Sequence, residues 1–151
     1  AYSEVKMVIT AVDAEPALSQ IGKEIRLIRS KIKDNAPEKT VLEIENVYSR
    51  LNKIPGANEA SKSLSKARNE IDGEKRDYNK ATTYIDATLA IIEGEAAWRK
   101  KIKSGPYKDL VSFERFTQNN LGLREQERLT SEQVDIITPC LAKHRNISLQ
   151  F

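Results

Sequence analysis

Leu18, Ile21, Ile25, Ile28 and Ile32 step along the chain by 3, 4, 3 and 4 residues. That spacing returns side chains to one face of a helix, and no strand period produces it. A helix with one apolar stripe has to bury it against another element. The polar residues Lys23, Glu24, Arg26, Arg29 and Lys31 fall elsewhere on the same wheel. Pro16, preceded by Asp13 and Glu15, suits the first turn. The stretch "KDNAPEKT" breaks the helix and Pro37 opens a second one. There Val41, Ile44, Tyr48 and Leu51 form the expected seam, flanked by Val47, and Pro55-Gly56 ends it. So short a break predicts an antiparallel helical hairpin.

From Asn58 to Lys103 there is no proline. Ala57, Ala60, Leu64, Ala67, Ile71, Tyr78, Ala81 and Ile85 keep heptad-like spacing, with polar Glu74 filling one step. The expectation is one long helix around 57–103, roughly 70 Å at 1.5 Å per residue. The alternative is two helices broken at Asp72-Gly73. Asp-Gly signals a hairpin between strand-like runs, which these flanks are not, and an isolated glycine costs a helix only ~1 kcal/mol.

Ser104-Gly105-Pro106 stops this element, and 107–120 reads as a helix with Leu110, Val111, Phe113 and Phe116. Thr130 with Gln133 resembles a capping box, opening a last helix that Pro139 kinks or splits. Residues 2–12 fit a helix through Val5, Val8, Ile9 and Val12, or a strand through Val5, Met7, Ile9 and Ala11. The helix is preferred because nothing else supplies strand partners. The expected fold class is therefore all-α, an antiparallel helical bundle of four to six helices. The length of 151 residues favours a single helical domain over 1–151, with 2–12 and 146–151 peripheral or frayed.

The composition excludes more chemistry than it suggests. One histidine, His144, and one cysteine, Cys140, rule out an intrachain disulfide, a di-iron bundle and a zinc-protease helix. The six glycines form no phosphate loop. No metal or cofactor is expected. The net charge of +3 is spread evenly along the chain, whereas a duplex-binding domain usually has one strongly basic face. No run approaches the ~18 apolar residues of a membrane span. The expected setting is soluble, either an exported mature chain, given an Ala1 start without Met, or cytoplasmic.

Three groups of residues are candidates for function. Cys140 and His144, at i and i+4, would share a helical face where a base generates thiolate. The blander account, a small buried thiol and a histidine near a helix end, needs no third group. The pairs Glu43/Glu45, Glu93/Glu95 and Glu125/Glu127 sit at i, i+2 and point to different sides of a helix. The third group is "EAAWRKKIKSGPYKD", where Trp98, Arg99, Lys100, Lys103 and Tyr107 are the candidate binding residues. On a wheel Tyr84, Ile91 and Trp98 repeat every seven residues, so Trp98 and Ile102 read as inward. Arg99, Lys100 and Lys103 then fan over the other side, where bases suit the negative end of the helix dipole. A charged helix terminus accounts for every base in the stretch. The competing reading is a patch with Trp98 or Tyr107 as anchor and the bases as contacts to acidic groups.

The function expected from these residues is non-enzymatic: a helical bundle that binds another protein, as an adaptor, an inhibitor or immunity-type protein, or a secretion-related component. Partnership with a protein or self-association is expected. The second reading is a ligand-sensing or carrier bundle holding a small apolar molecule near Tyr84, Trp98 and Phe113. The third is nucleic-acid or anionic-membrane association through 99–103.

Overall fold

The structure, a computed structural model, describes residues 2–120, with side chains from Val5 to Asn119. The capping box at Thr130, the Pro139 kink, the Cys140–His144 pair and the 146–151 tail lie outside the described residues. Six helices follow in order: α1 (Tyr2–Asp13), α2 (Glu15–Lys31), α3 (Pro37–Leu51), α4 (Asn58–Ile71), α5 (Tyr78–Ser104) and α6 (Tyr107–Asn120). The fold is all-α. The residues gather into two compact units. One is Pro16–Ala96; the other combines, among the described residues, 2–15 with 97–120.

The long helix expected around 57–103 is broken, with α4 ending at Ile71 and α5 starting at Tyr78. Asp72 caps α4 in an extended conformation, φ −87° and ψ 101°. Gly73 follows at φ +151°, a backbone that L side chains rarely adopt. Asp77 then opens α5, its carboxylate accepting the Lys80 N–H at 3.0 Å. The apparent seam carries no apolar residue between Ile71 and Tyr78. Burial therefore returns nothing for holding Gly73 in a helix, while the turn and cap are well served by Asp72, Gly73 and Asp77.

In the 16–96 unit, α2 buries Leu18, Ile21, Ile25 and Ile28, and Ile32 just beyond its end is buried with them, each at most 5% exposed. On α4 the expected stripe Ala60, Leu64, Ala67 and Ile71 is buried. On α3 the buried set is Thr40, Ile44, Val47 and Leu51. The expected seam is thus rotated: Val41 and Tyr48 are half-buried, and Thr40 and Val47 take the inside.

Each neighbouring pair of helices is joined by its own polar contact. Arg50 of α3 grips Glu24 of α2 with both terminal nitrogens, at 2.7 and 2.6 Å. Arg68 of α4 donates twice to Glu45 of α3, at 3.0 and 2.7 Å. Ser63 of α4 donates to the Tyr84 carbonyl of α5 at 3.1 Å, and Lys66 lies over the Tyr84 ring. Arg29 of α2 donates to both oxygens of Asp86 on α5, and Arg26 pairs with Glu93. Arg26 and Arg29 meet Glu93 and Asp86 in reverse order, and short breaks join the other neighbours, so the expected α2–α3 hairpin extends to an up-down-up-down four-helix bundle. At Gly22 an added Cβ would stand 3.3 Å from Ile92 Cγ2, so α2 and α5 approach closely there.

In the other unit, Val5, Val8, Ala11 and Val12 of α1 are fully buried. The segment from Val5 to Val12 thus has a buried face. That face shares a core cluster with Trp98, Ile102, Leu110 and Phe113, against which Ile9 and Tyr107 pack. The helical period of the valines is the one satisfied. On α6 the inward stripe runs through Leu110, Phe113 and Thr117, while Phe116, expected inside, is 55% exposed.

Two glycine substitutions separate the turn from the helix. Gly73→Ala is expected to destabilise the protein by about 1–2 kcal/mol, because alanine is strained at that φ. Gly94→Ala, in the exposed middle of α5 where a Cβ meets nothing within 4 Å, is expected to stabilise it by about 0.5–1 kcal/mol. Urea unfolding followed by far-UV circular dichroism checks both.

Candidate functional site

The residues that stood out in "EAAWRKKIKSGPYKD" do not gather into an outward patch. Trp98 is 8% exposed and Arg99 is fully buried. Arg99 was expected on the solvent side, and the correction has a simple cause. Trp98 and Ile102 are inside as their spacing predicts, but α5 also buries a second stripe, Ala81, Ile85, Thr88, Ile92, Ala96 and Arg99, stepping by 4, 3, 4, 4 and 3. Tyr84 and Ile91, taken as the inward repeat, are only half-buried. Following the alanines instead of the aromatics would have led to Arg99.

Arg99 Nη1 donates to the Ala11 carbonyl at 3.2 Å. Ala11 lies in the last turn of α1, where carbonyls lack intrahelical partners and the dipole favours a cation. Lys100 lies 3.5 Å from the buried carboxylate of Glu15. Tyr107 donates its hydroxyl to Asp13 at 2.6 Å. That bond, with partial burial and the Asp13 charge, pushes the phenol pKa above its usual value. Lys103 remains exposed. The stretch therefore holds its own unit together. The residues named for a ligand pocket also separate: Trp98 and Phe113 pack in one core cluster, whereas Tyr84 belongs to the 16–96 unit, half-buried beneath Lys66.

A surface that the sequence reading passed over lies on α3. Leu42 is 66% exposed, the most exposed large apolar side chain among the described residues. It sits about 180° around α3 from the centre of the buried stripe, at roughly 100° per residue. Grooves flank it on both sides. The α2–α3 groove, about 410 Å³, is lined by Leu27, Ile28, Leu42 and Val47, with Glu24, Lys39, Glu43 and Arg50 on its rim. The α3–α4 groove, about 360 Å³, is lined by Val41, Leu42 and Ile71, with Glu45, Arg68 and Arg76 at its edge. Leu27, across the first groove on α2, is 55% exposed. The sequence signal was available, since Leu42 is the one leucine of α3 outside its apolar seam.

The rim is electrically ordered. Glu24 is held below the usual glutamate range by its hydrogen bonds from Arg50, against a smaller opposing effect of burial. Glu45 is bonded by Arg68, which also lies 3.1 Å from Asp72. Lys39 and Glu43, beside Leu42, have no ion-pair partner among the described residues. No group of three or more His, Cys, Asp and Glu is placed to hold a metal among the described residues. No described helix is long and apolar enough to cross a membrane.

No family model matches the chain, and no curated protein or solved structure matches it significantly.

Two measurements follow from these contacts. Arg99→Ala leaves a cavity and an orphaned Ala11 carbonyl, and should cost about 2–4 kcal/mol with a red shift of Trp98 fluorescence. Lys103→Ala should stay within about 0.5 kcal/mol of the parent. Glu24, with its folded pKa depressed, contributes stability that is complete well above its ordinary value of 4.5. That contribution is lost as pH falls through the folded pKa. Glu24→Gln should therefore cost about 0.5–1 kcal/mol at pH 7 and progressively less under acid, as unfolding midpoints from pH 7 to 3 would record.

Proposed function

We propose that this protein works without catalysis of its own, by docking another polypeptide chain on the α3 face of the 16–96 bundle. The single observation behind this reading is Leu42. A leucine diametrically opposite its helix's core stripe is not needed to bury that stripe, and it stands between a mainly apolar groove and a mixed, charge-lined one. An amphipathic helix is the element suited to such a surface, laying side chains at i, i+3, i+4 and i+7 into a groove. The charged rim adds orientation more than affinity. Isolated surface leucines are common. Leu42 differs in having Leu27 exposed across the adjoining groove.

A photoreactive residue at position 42 tests the reading. In the native extract it should form a discrete adduct with a polypeptide at least tenfold more efficiently than the same group at Ala90, exposed on α5. Equal or absent adducts at the two positions would end it.

A further inference from the structure

We infer that the polypeptide docked on the α3 face is a second copy of this chain, packed across a twofold axis with the two α3 helices antiparallel. This rests on reading that face as a protein-docking surface, and the charge arrangement around Leu42 supplies the rest. Lys39 and Glu43 stand one turn apart on the same side of α3, both lining the α2–α3 groove. They are opposite in sign, and neither has an ion-pair partner among the described residues. A partner carrying one sign would satisfy one of them and oppose the other.

A second copy satisfies both. Antiparallel packing over a dyad near Val41 brings Lys39 of each chain to Glu43 of the other. One symmetry operation thus makes two equivalent ion pairs. Under the same operation Leu42 of one chain stands level with position 40 of the other, so the two exposed Leu42 side chains meet beside the dyad. The face is therefore self-complementary in charge, with an apolar contact at its centre. One leucine per chain makes a small apolar centre, so the dimer is a weak one that forms at micromolar concentrations and above.

Sedimentation of the purified full chain over about 10–500 µM provides the test. The parent should move from monomer toward dimer across this range. Leu42→Glu should abolish association. Lys39→Glu and Glu43→Lys should each weaken it at least tenfold, since each places like charges together. An equimolar mixture of these two variants should recover association, because every contact between them is again opposite in sign. Circular dichroism of each variant confirms that the surface changes leave the fold intact. A monomeric parent throughout the range overturns the inference. So does insensitivity to either charge reversal, or a mixture no better than its components. The position-42 adduct separates the two levels of the argument. A partner of different mass with a monomeric parent retires the second copy and leaves the docking face, whereas no adduct removes both.

Discussion

Between Ile71 and Tyr78 the chain has to turn back on itself for any of the four-helix contacts to coexist. Were α4 and α5 one rod, Tyr84 would lie far along the axis from Ser63. Asp86 could not return to Arg29 while Arg68 reached Glu45. The reversal is made by Asp72 in extended conformation, Gly73 at φ +151° and Asp77 as the cap of α5. Local backbone preference and tertiary closure agree at this turn, and such agreement is what lets a sequence favour one topology over its neighbours.

Once the turn is made, selectivity comes from the margins of the helix pairs more than from their centres. Alanine, leucine and isoleucine stripes interlock in several registers at similar cost. The arginine–carboxylate contacts at Glu24–Arg50, Glu45–Arg68 and Asp86–Arg29 fix which residues stand opposite one another. Exposed pairs of this kind add little stability. Their value lies in geometry, because a planar guanidinium meets a carboxylate edge-on and tolerates little displacement. Having spent Glu24, Glu45, Arg50 and Arg68 on its own assembly, the α3 face leaves Lys39, Glu43 and Leu42 for other uses.

The helices were legible wherever one apolar face repeats without interruption. The α2 isoleucines, the Pro37 start and the α4 alanine stripe could be read directly, because each reflects a local period or a local backbone preference. What escaped depended on competition between periods. On α5 two stripes overlap, one through Tyr84, Ile91 and Trp98 and one through Ala81, Ile85, Ile92 and Ala96. Trp98 and Ile102 are buried as expected, while Tyr84 and Ile91 are half-buried and the second stripe is inside throughout, carrying Arg99 with it. At Asp72-Gly73 a heptad count ran across a gap where no apolar side chain was present to bury a continuous helix. Leu42 was overlooked for the opposite reason. Sequence reading looks for apolar residues that join a stripe, and this one stands outside it.

The division of the chain also sets an order of assembly. The four-helix unit is contiguous, and its pairings join residues close in sequence, so it can form as soon as Ala96 is available. The other unit joins α1 to residues more than eighty positions later, as the Arg99–Ala11 bond illustrates. During synthesis from the N-terminus, α1 precedes the 16–96 bundle, and its valines wait for residues 97 and beyond while the whole bundle is made. Residues made before the bundle are thus buried only after it. A fault anywhere in the bundle prolongs the interval in which that apolar helix is open to the wrong partner.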